Sequence, residues 1–376
     1  SGLMVIRIIH ITAGLWKDTG GPAEVIPNLC RAQAEGGAEV TLCSISGDTA
    51  PQVEALKGTN VDVRLFHSFS DTIRYSPNMA DFLKSQKDID IIHNHGHWLW
   101  PNWFAVTISK HLNARLITTP HGTLVPGMLS KSFVKKSLSW MLFDRRLIAK
   151  ADVIHALSSE EADLMSVKLG RYSKKISIIP NGVNIAKTGG KNTGRHGGTL
   201  LFLSRVTPIK GIIELLNAWA NLSPIFPEWR LKIVGPIDKS IKDQVEILCA
   251  TIPRTSLAGP IYDYQRWKEY QHAAAFILPT FGEGLPTVLL EAAAHQLPII
   301  TTPEANFKQL NHVGGSLLCN PHSGDIEATL KQFFQLPGNI RQEIGNRGAE
   351  LIETDYRWDI IASRWLSVYS DITSRS

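Results

Sequence analysis

Residues 275–295 read AFILPTFGEGLPTVLLEAAAH. Four apolar residues, 275–278, run into Pro279, which ends a strand because proline has no N–H for a ladder. A loop with two glycines follows and carries Glu283. From residue 289 the apolar positions take up helical spacing, with Glu291 roughly two turns into the helix. A strand, a glycine loop and a helix in that order form the repeating unit of a parallel sheet. Backbone N–H groups near Gly284 and Leu285 then point from the helix N-terminus at an anion. Two carboxylates beside a phosphate repel it unless they bind hydroxyls, which suggests a sugar on each side of a diphosphate. A strand–turn–helix with two solvated glutamates is the plainer alternative.

The same alternation extends in both directions from this segment. In the first half, residues 5–10, 40–44, 90–93, 115–119 and 153–157 are rich in β-branched residues and read as strands. A loop over 14–21 follows the first strand, and a helix follows over 22–35. Pro22 suits its first turn, whereas Pro27 predicts a kink or a late start. A second helix is predicted over 131–150. In the second half, 199–203, 231–234, 275–278 and 299–302 read as strands, and 211–220 and 289–295 as helices. Residues 358–372 carry Trp358, Ile361, Ala362, Trp365, Val368, Tyr369 and Ile372 at helical spacing. Between the halves, residues 187–198 read KTGGKNTGRHGG, basic and glycine-rich, a linker.

The predicted fold is therefore α/β, with two doubly wound, Rossmann-like domains facing across a cleft. The first covers 1–186 and the second 199–357, and a terminal helix covers 358–376. In such sheets ligands bind at the carboxyl ends of the strands.

Composition narrows the function classes. The 376 residues are 43% hydrophobic and 19% charged, which excludes a disordered chain. Lys and Arg total 39 against 34 Asp and Glu, a net charge of +5. That excess is too small to indicate nucleic acid, and no nucleic-acid partner is expected. None of the four cysteines lies in a C-x-x-C pair, so no zinc ribbon or redox motif is expected. Residues 1–4, SGLM, read as a cloning remnant before a start Met with no signal peptide after it. A cytoplasmic location is expected on these grounds. Residues 91–109 lack Asp, Glu, Lys and Arg, but their histidines, asparagines and Pro101 argue against a membrane span.

A second motif, Leu203-Ser204-Arg205-Val206-Thr207-Pro208-Ile209-Lys210-Gly211, also stands at a strand's carboxyl end before a helix. Arg205 and Lys210 there suit phosphate oxygens, Arg as a bidentate fork and Lys as a point charge. A solvated basic pair is the plain alternative.

Taken together, the motifs resemble family 4 of the glycosyltransferases, retaining enzymes of the GT-B fold. The segment EGLPTVLLEA, with Glu283 and Glu291 eight residues apart, is similar to the family signature. So are Arg205 with Lys210-Gly211, the segment Pro180-Asn181-Gly182-Val183-Asn184, the loop Thr119-Pro120-His121-Gly122, and Gly20-Gly21 before a helix. The resemblance spans nearly the whole chain, in the family's order, and implies that the terminal helix over 358–376 packs back on the first domain. It implies that Arg205 and Lys210 neutralise a donor diphosphate, so that no metal is needed. It implies that Glu291 accepts from the ribose and that Glu283 holds hydroxyls of the transferred sugar. Gly284 and Leu285 amides would lie near the phosphate, His121 by the donor sugar, and Ile261 against the base. Gly20 and Gly21 would let backbone approach the phosphate or the acceptor. The implied activity is transfer of a hexose from a nucleotide sugar, UDP- favoured over GDP-linked, to a saccharide or lipid-linked acceptor. Bacterial surface polysaccharide or lipopolysaccharide is the implied product. A GT-B nucleotide-sugar epimerase or a catalytically silent nucleotide-sugar-binding protein are the alternatives.

Three further features are weighed against blander readings. Asp88-Ile89-Asp90 is a literal D-x-D, but it precedes a strand and reads as incidental. His93, His95 and His97 alternate, which on a strand puts them on one face. That pattern suits zinc, an acceptor-side role with His95 and His97 in a loop, or a structural role. Finally, Lys131, Lys135, Lys136, Arg145, Arg146 and Lys150 fall in about half the wheel of the predicted 131–150 helix, opposite Phe133, Val134, Trp140, Met141, Leu147 and Ile148, while Leu138, Leu142 and Phe143 break the pattern. Such a helix suits either peripheral contact with anionic membrane or ordinary packing on the sheet.

Overall fold

A computed structural model describes residues 5–16, 21–124, 143–184, 197–261 and 264–374. The chain divides into two compact units, Ser1–Gly182 with Trp358–Ser376, and Val183–Arg357.

Unit 1 is built on β1 (Arg7–Thr12), β2 (Glu39–Ile45), β3 (Val61–Phe66), β4 (Ile91–His95), β5 (Arg115–Thr119), β6 (Val153–Ala156) and β7 (Ile176–Ile178). Among the described residues they form one sheet in the order β3-β2-β1-β4-β5-β6-β7, parallel throughout. Both faces are covered. Ile9, Ile11, Cys43, Ile45 and Ile92 pack on one side. Ile8, Val40, Leu42, Ile91, Ile117 and Val153 pack on the other, beneath helices Gly21–Glu35 and Trp358–Thr373. The C-terminal helix buries Trp358, Ile361, Ala362, Trp365 and Tyr369, the spacing expected of one apolar stripe. Large side chains buried in this way contribute ~1.5–3 kcal/mol each. Helix Gly21–Glu35 runs through Pro27, so it does not start late. Burial of Val25, Ile26, Pro27 and Leu29 offsets the single hydrogen bond that the proline forfeits.

Unit 2 repeats the plan with β8 (Gly198–Leu203), β9 (Trp229–Val234), β10 (Thr255–Ala258), β11 (Ala275–Leu278), β12 (Ile299–Thr301) and β13 (Ser316–Leu318). Their order is β10-β9-β8-β11-β12-β13, again parallel. In each unit the first strand therefore lies between the second and the fourth. The winding reverses there, and the loops leaving the first and fourth strands open a crevice at their carboxyl ends.

Several expectations from the sequence need adjustment. Gly198 opens β8 rather than belonging to a linker, and residues 187–196 of that stretch lie outside the described residues. Of the predicted 131–150 helix, residues 131–142 lie outside the described residues. The described remainder holds an α-helix over Arg145–Lys150, led in by a π-helical turn at 143–144, with Leu147 and Ile148 buried. Among the described residues no helix is long and apolar enough to cross a membrane. Asp90 caps the amino-terminal edge of the sheet, accepting from the Arg7 amide at 2.8 Å, far from the carboxyl ends.

Candidate active site

In unit 2 the loops after β8 and β11 are bolted together. The Phe281 amide and the Thr280 hydroxyl both donate to the Ile209 carbonyl, at 2.8 and 3.0 Å. Gly211 makes this approach possible. It sits at φ 68°, and a Cβ there would lie 2.0 Å from the Pro279 carbonyl oxygen. Lys210 ends the short turn Pro208–Lys210 and is buried, with its Nζ against Oε1 of Glu283. Burial first, and then the Arg205 guanidinium, push the Lys210 ammonium down to about 7. The Glu283 carboxylate opposes that shift. Arg205 is exposed and makes no ion pair among the described residues. The loops after β8 and β11 thus bring a buried lysine, paired with Glu283, and an exposed guanidinium to the carboxyl side of the sheet, an arrangement suited to an anion.

The Glu283 segment is fixed from behind. Its amide donates to the Glu304 carbonyl at 3.0 Å, and Asn306 Nδ2 donates to its carbonyl at 2.5 Å. Gly284 and Leu285 follow, ahead of helix Thr287–Ala294. Their amides donate to no protein group among the described residues, which leaves them for an anion at the helix N-terminus. Glu291 is 2% exposed. One of its oxygens accepts from the Tyr270 hydroxyl at 2.7 Å, and the other faces Arg266 at 3.1 Å. A carboxylate accepts about four hydrogen bonds, so capacity for further donors remains. Ile261 is half-buried just past β10.

Unit 1 contributes a separate set. Gly21 opens its helix, and a Cβ there would meet nothing within 4 Å. Gly20 lies outside the described residues. His121 follows β5 at φ 51°, in the left-handed region that residues other than glycine adopt uncommonly. The next amide, Gly122 at φ 76°, donates to the buried Glu161 carboxylate, which also accepts from Leu157 at 2.6 Å. Burial pushes the Glu161 carboxyl up, and these two amides pull it back.

The three alternating histidines part company. His93 and His95 both lie within β4 and are buried, so His95 does not enter the loop as expected. His97 is buried 3.5 Å from the Asp144 carboxylate, and neither of its ring nitrogens has a hydrogen-bond partner. The potential metal ligands are instead His10, His93 and His95, with one nitrogen of each within 4.8 Å of the others. All six nitrogens of these rings already carry protein partners. A metal would have to displace those bonds, so the set does not fit one. Beside the loop after β4, Trp100 stacks on Phe104 and Trp103 on Phe143, with ring centroids 4.8 and 4.1 Å apart.

His10, Gln33, Thr119, His155 and Tyr369 form a polar cluster around these rings that sequence reasoning passed over. A signal existed. On one face of each central strand an apolar residue is followed two positions later by His or Thr: Ile8–His10, Ile91–His93, Ile117–Thr119 and Val153–His155.

Comparison with known proteins yields a consistent pattern. A model of Glycosyltransferase Family 4 matches residues 19–187, and one of Glycosyl transferases group 1 matches 197–336. The chain is 22% identical over 375 residues to the GDP-mannose:cellobiosyl-diphosphopolyprenol alpha-mannosyltransferase of Xanthomonas campestris. That alignment covers 97% of this chain and 96% of that protein. Among solved structures, HepE of Anabaena in complex with UDP and glucose superposes with a TM-score of 0.75 at 15% identity. It covers 97% of this chain and all (100%) of that one. A glycosyltransferase of Rickettsia africae superposes with a TM-score of 0.77 at 19% identity, covering 100% of both chains.

Proposed function

The chain belongs to the family 4 glycosyltransferases, a GT-B enzyme, and from that premise we propose that it transfers a hexose from a nucleoside-diphosphate sugar with retention and without a metal. The observation that carries this reading is the pairing of exposed, unpaired Arg205 with buried Lys210 beside the free Gly284 and Leu285 amides. Departure of the nucleotide concentrates negative charge on its diphosphate. Fixed cations and oriented amides stabilise that charge most in the transition state, where it is greatest. A metal would do the same work, and these groups replace it.

Glu283 is read as a positioning group. When a diphosphate takes over Lys210, the carboxylate is released to accept hydroxyls of the transferred sugar. Its pairing with a lysine, not with a second carboxylate, distinguishes it from the acid–base pairs of glycoside hydrolases. No enzyme nucleophile is assigned. The donor phosphate oxygen is assigned to deprotonate the acceptor from the same face as the departing group. His121 is assigned to the transferred sugar and Glu291 to the ribose. Uridine is favoured as the base, with HepE in complex with UDP in support. A saccharide or lipid-linked saccharide is favoured as acceptor. In support, the Xanthomonas relative is named for a diphosphopolyprenol-linked acceptor. Surface polysaccharide is the product class this suggests.

Calorimetric titration with UDP and GDP, with and without chelator, tests the donor assignment on wild type and Arg205→Ala. Chelator-resistant binding, selective for UDP and weakened in the variant, is expected. Lys210→Ala and Glu283→Ala should each lose most turnover. Wild-type activity in both would sink the site. Nucleotide release that requires an added saccharide separates transfer from epimerisation and from silent binding.

A further inference from the structure

A single directional chain of hydrogen bonds crosses unit 1 between its sheet and the two helices above it. It starts at a backbone carbonyl. His155 Nε2 lies 2.6 Å from the Ile179 oxygen, which only accepts, so Nε2 carries the proton. In a neutral ring Nδ1 then accepts, and its partner at 3.1 Å, the Thr119 hydroxyl, must donate. Thr119 therefore accepts from His93 Nε2 at 2.7 Å. His93 Nδ1 is left as an acceptor for the Tyr369 hydroxyl at 2.6 Å. The tyrosine oxygen accepts the Gln33 amide nitrogen at 3.0 Å. The Gln33 oxygen consequently faces His10 Nε2, which donates at 2.8 Å. His10 Nδ1 accepts from His95 Nε2 at 2.8 Å, and His95 Nδ1 accepts from His121 Nε2 at 3.0 Å. Eight side chains are thus oriented by one carbonyl, and no step leaves a choice.

These directions hold for neutral rings, and burial keeps the rings neutral. His10 and His155 are pushed down to about 4 and His121 to about 3, with His93 and His95 held well below the ordinary value. Desolvation is the largest cause in every case. A second charge among stacked rings, with His93 and His95 centroids 4.3 Å apart, adds repulsion. The groups acting on His121 are His95, His97 and His155, with Glu161 gripping the adjoining Gly122 amide.

We infer that His95 is a positioning residue that holds His121 in the tautomer protonated on Nε2, so that its Nδ1 meets the substrate as a hydrogen-bond acceptor. His121 is partly exposed, and its Nδ1 has no protein partner among the described residues. A substrate hydroxyl that donates is the matching group, whereas a carbonyl or phosphate oxygen is refused. The amide of Gln33 interrupts proton conduction, so the chain sets polarity and does not shuttle protons. The positioning role rests on the assignment of His121 to the transferred sugar made above. The tautomer does not.

Two measurements separate these claims. Long-range proton–nitrogen NMR of histidine-labelled protein, with His121 identified by its loss in His121→Asn, reads the tautomer directly. His121 should be Nε2-protonated and should not titrate from pH 5.5 to 8. A proton on Nδ1, or a titration in that window, overturns the inference. Kinetics supply the second test. His95→Leu should lower kcat about tenfold, the kinetic equivalent of one lost hydrogen bond, with donor KM little changed. His95→Gln offers His121 an oxygen and His10 an amide N–H in the same polarity, and should recover most of that loss. Equal kcat in a folded His95→Leu and wild type, or failure of His95→Gln to rescue, overturns the positioning role. If His121→Ala keeps wild-type turnover while the tautomer is as assigned, the sugar assignment fails. The positioning role falls with it.

Discussion

Raising the pH through neutrality should release the donor from unit 2, and Lys210 is the reason. In the free protein its ammonium is pushed down to about 7 by burial and by Arg205. A diphosphate against it adds more counter-charge than Glu283 alone provides and restores the ordinary lysine value, so the charged form is the one that binds. The affinity is then full below pH 7 and declines as pH rises through that value, by about tenfold per unit once the lysine is mostly neutral. A UDP-hexose is the suitable probe, because neither of its phosphates titrates in this range. Between pH 6.5 and 8.5 its Kd should weaken ~25-fold, equivalent to ~2 kcal/mol. Calorimetry in two buffers of different ionisation heat counts the protons. Binding should take up ~0.2 proton at pH 6.5 and close to ~1 at pH 8.5. Glu283→Gln removes the carboxylate that resists the shift, so its midpoint should move lower still. A Kd that is flat over this range, with no proton uptake at pH 8.5, would refute the reasoning. It would mean that Glu283 alone keeps the ammonium charged in the free protein.

Three other outcomes follow from the same geometry. Gly211→Ala forces a Cβ to 2.0 Å from the Pro279 carbonyl at a left-handed φ. It should cost ~1–3 kcal/mol by thermal melt and also weaken nucleotide binding, since Lys210 is the preceding residue. Tyr369→Phe leaves the Gln33 amide and His93 Nδ1 without their shared partner, a loss of ~1–3 kcal/mol in denaturant titration with the fold retained. Acid should unfold unit 1 early. His10, His121 and His155 are neutral when folded and protonate near 6.5 when unfolded, so the unfolded chain binds more protons as pH falls. Stability is present above pH 6.5 and should fall by ~4 kcal/mol per pH unit between there and pH 4. Midpoints that are level from pH 7 to 5 would contradict the neutral cluster.

How far the sequence could be read depended on burial. The strands it revealed, such as 115–119 and 275–278, lie inside their sheets, where both faces are covered and apolar residues run together. The four it concealed, Val61–Phe66, Ile176–Ile178, Thr255–Ala258 and Ser316–Leu318, are the edge strands of the two sheets. They are half exposed, and three of them are only three or four residues long, so no apolar run marks them. Arg205, Lys210, Glu283 and His121 could be singled out as candidates because each stands in a loop after a strand, marked by glycines and prolines.

The sequence by itself determined the doubly wound class, the family and the strand ends that carry the candidate site. These depend on local periodicity and on residues close together in the chain. Only the tertiary structure decided what those residues do to one another. Lys210 and Glu283 are 73 positions apart and meet because Gly211 lets one loop lie against another. Tyr369 and His93 are 276 apart and meet because the last helix returns to the first sheet. Burial shifts a charge or orients a proton only when distant strands have closed around it, and no local pattern encodes that closure.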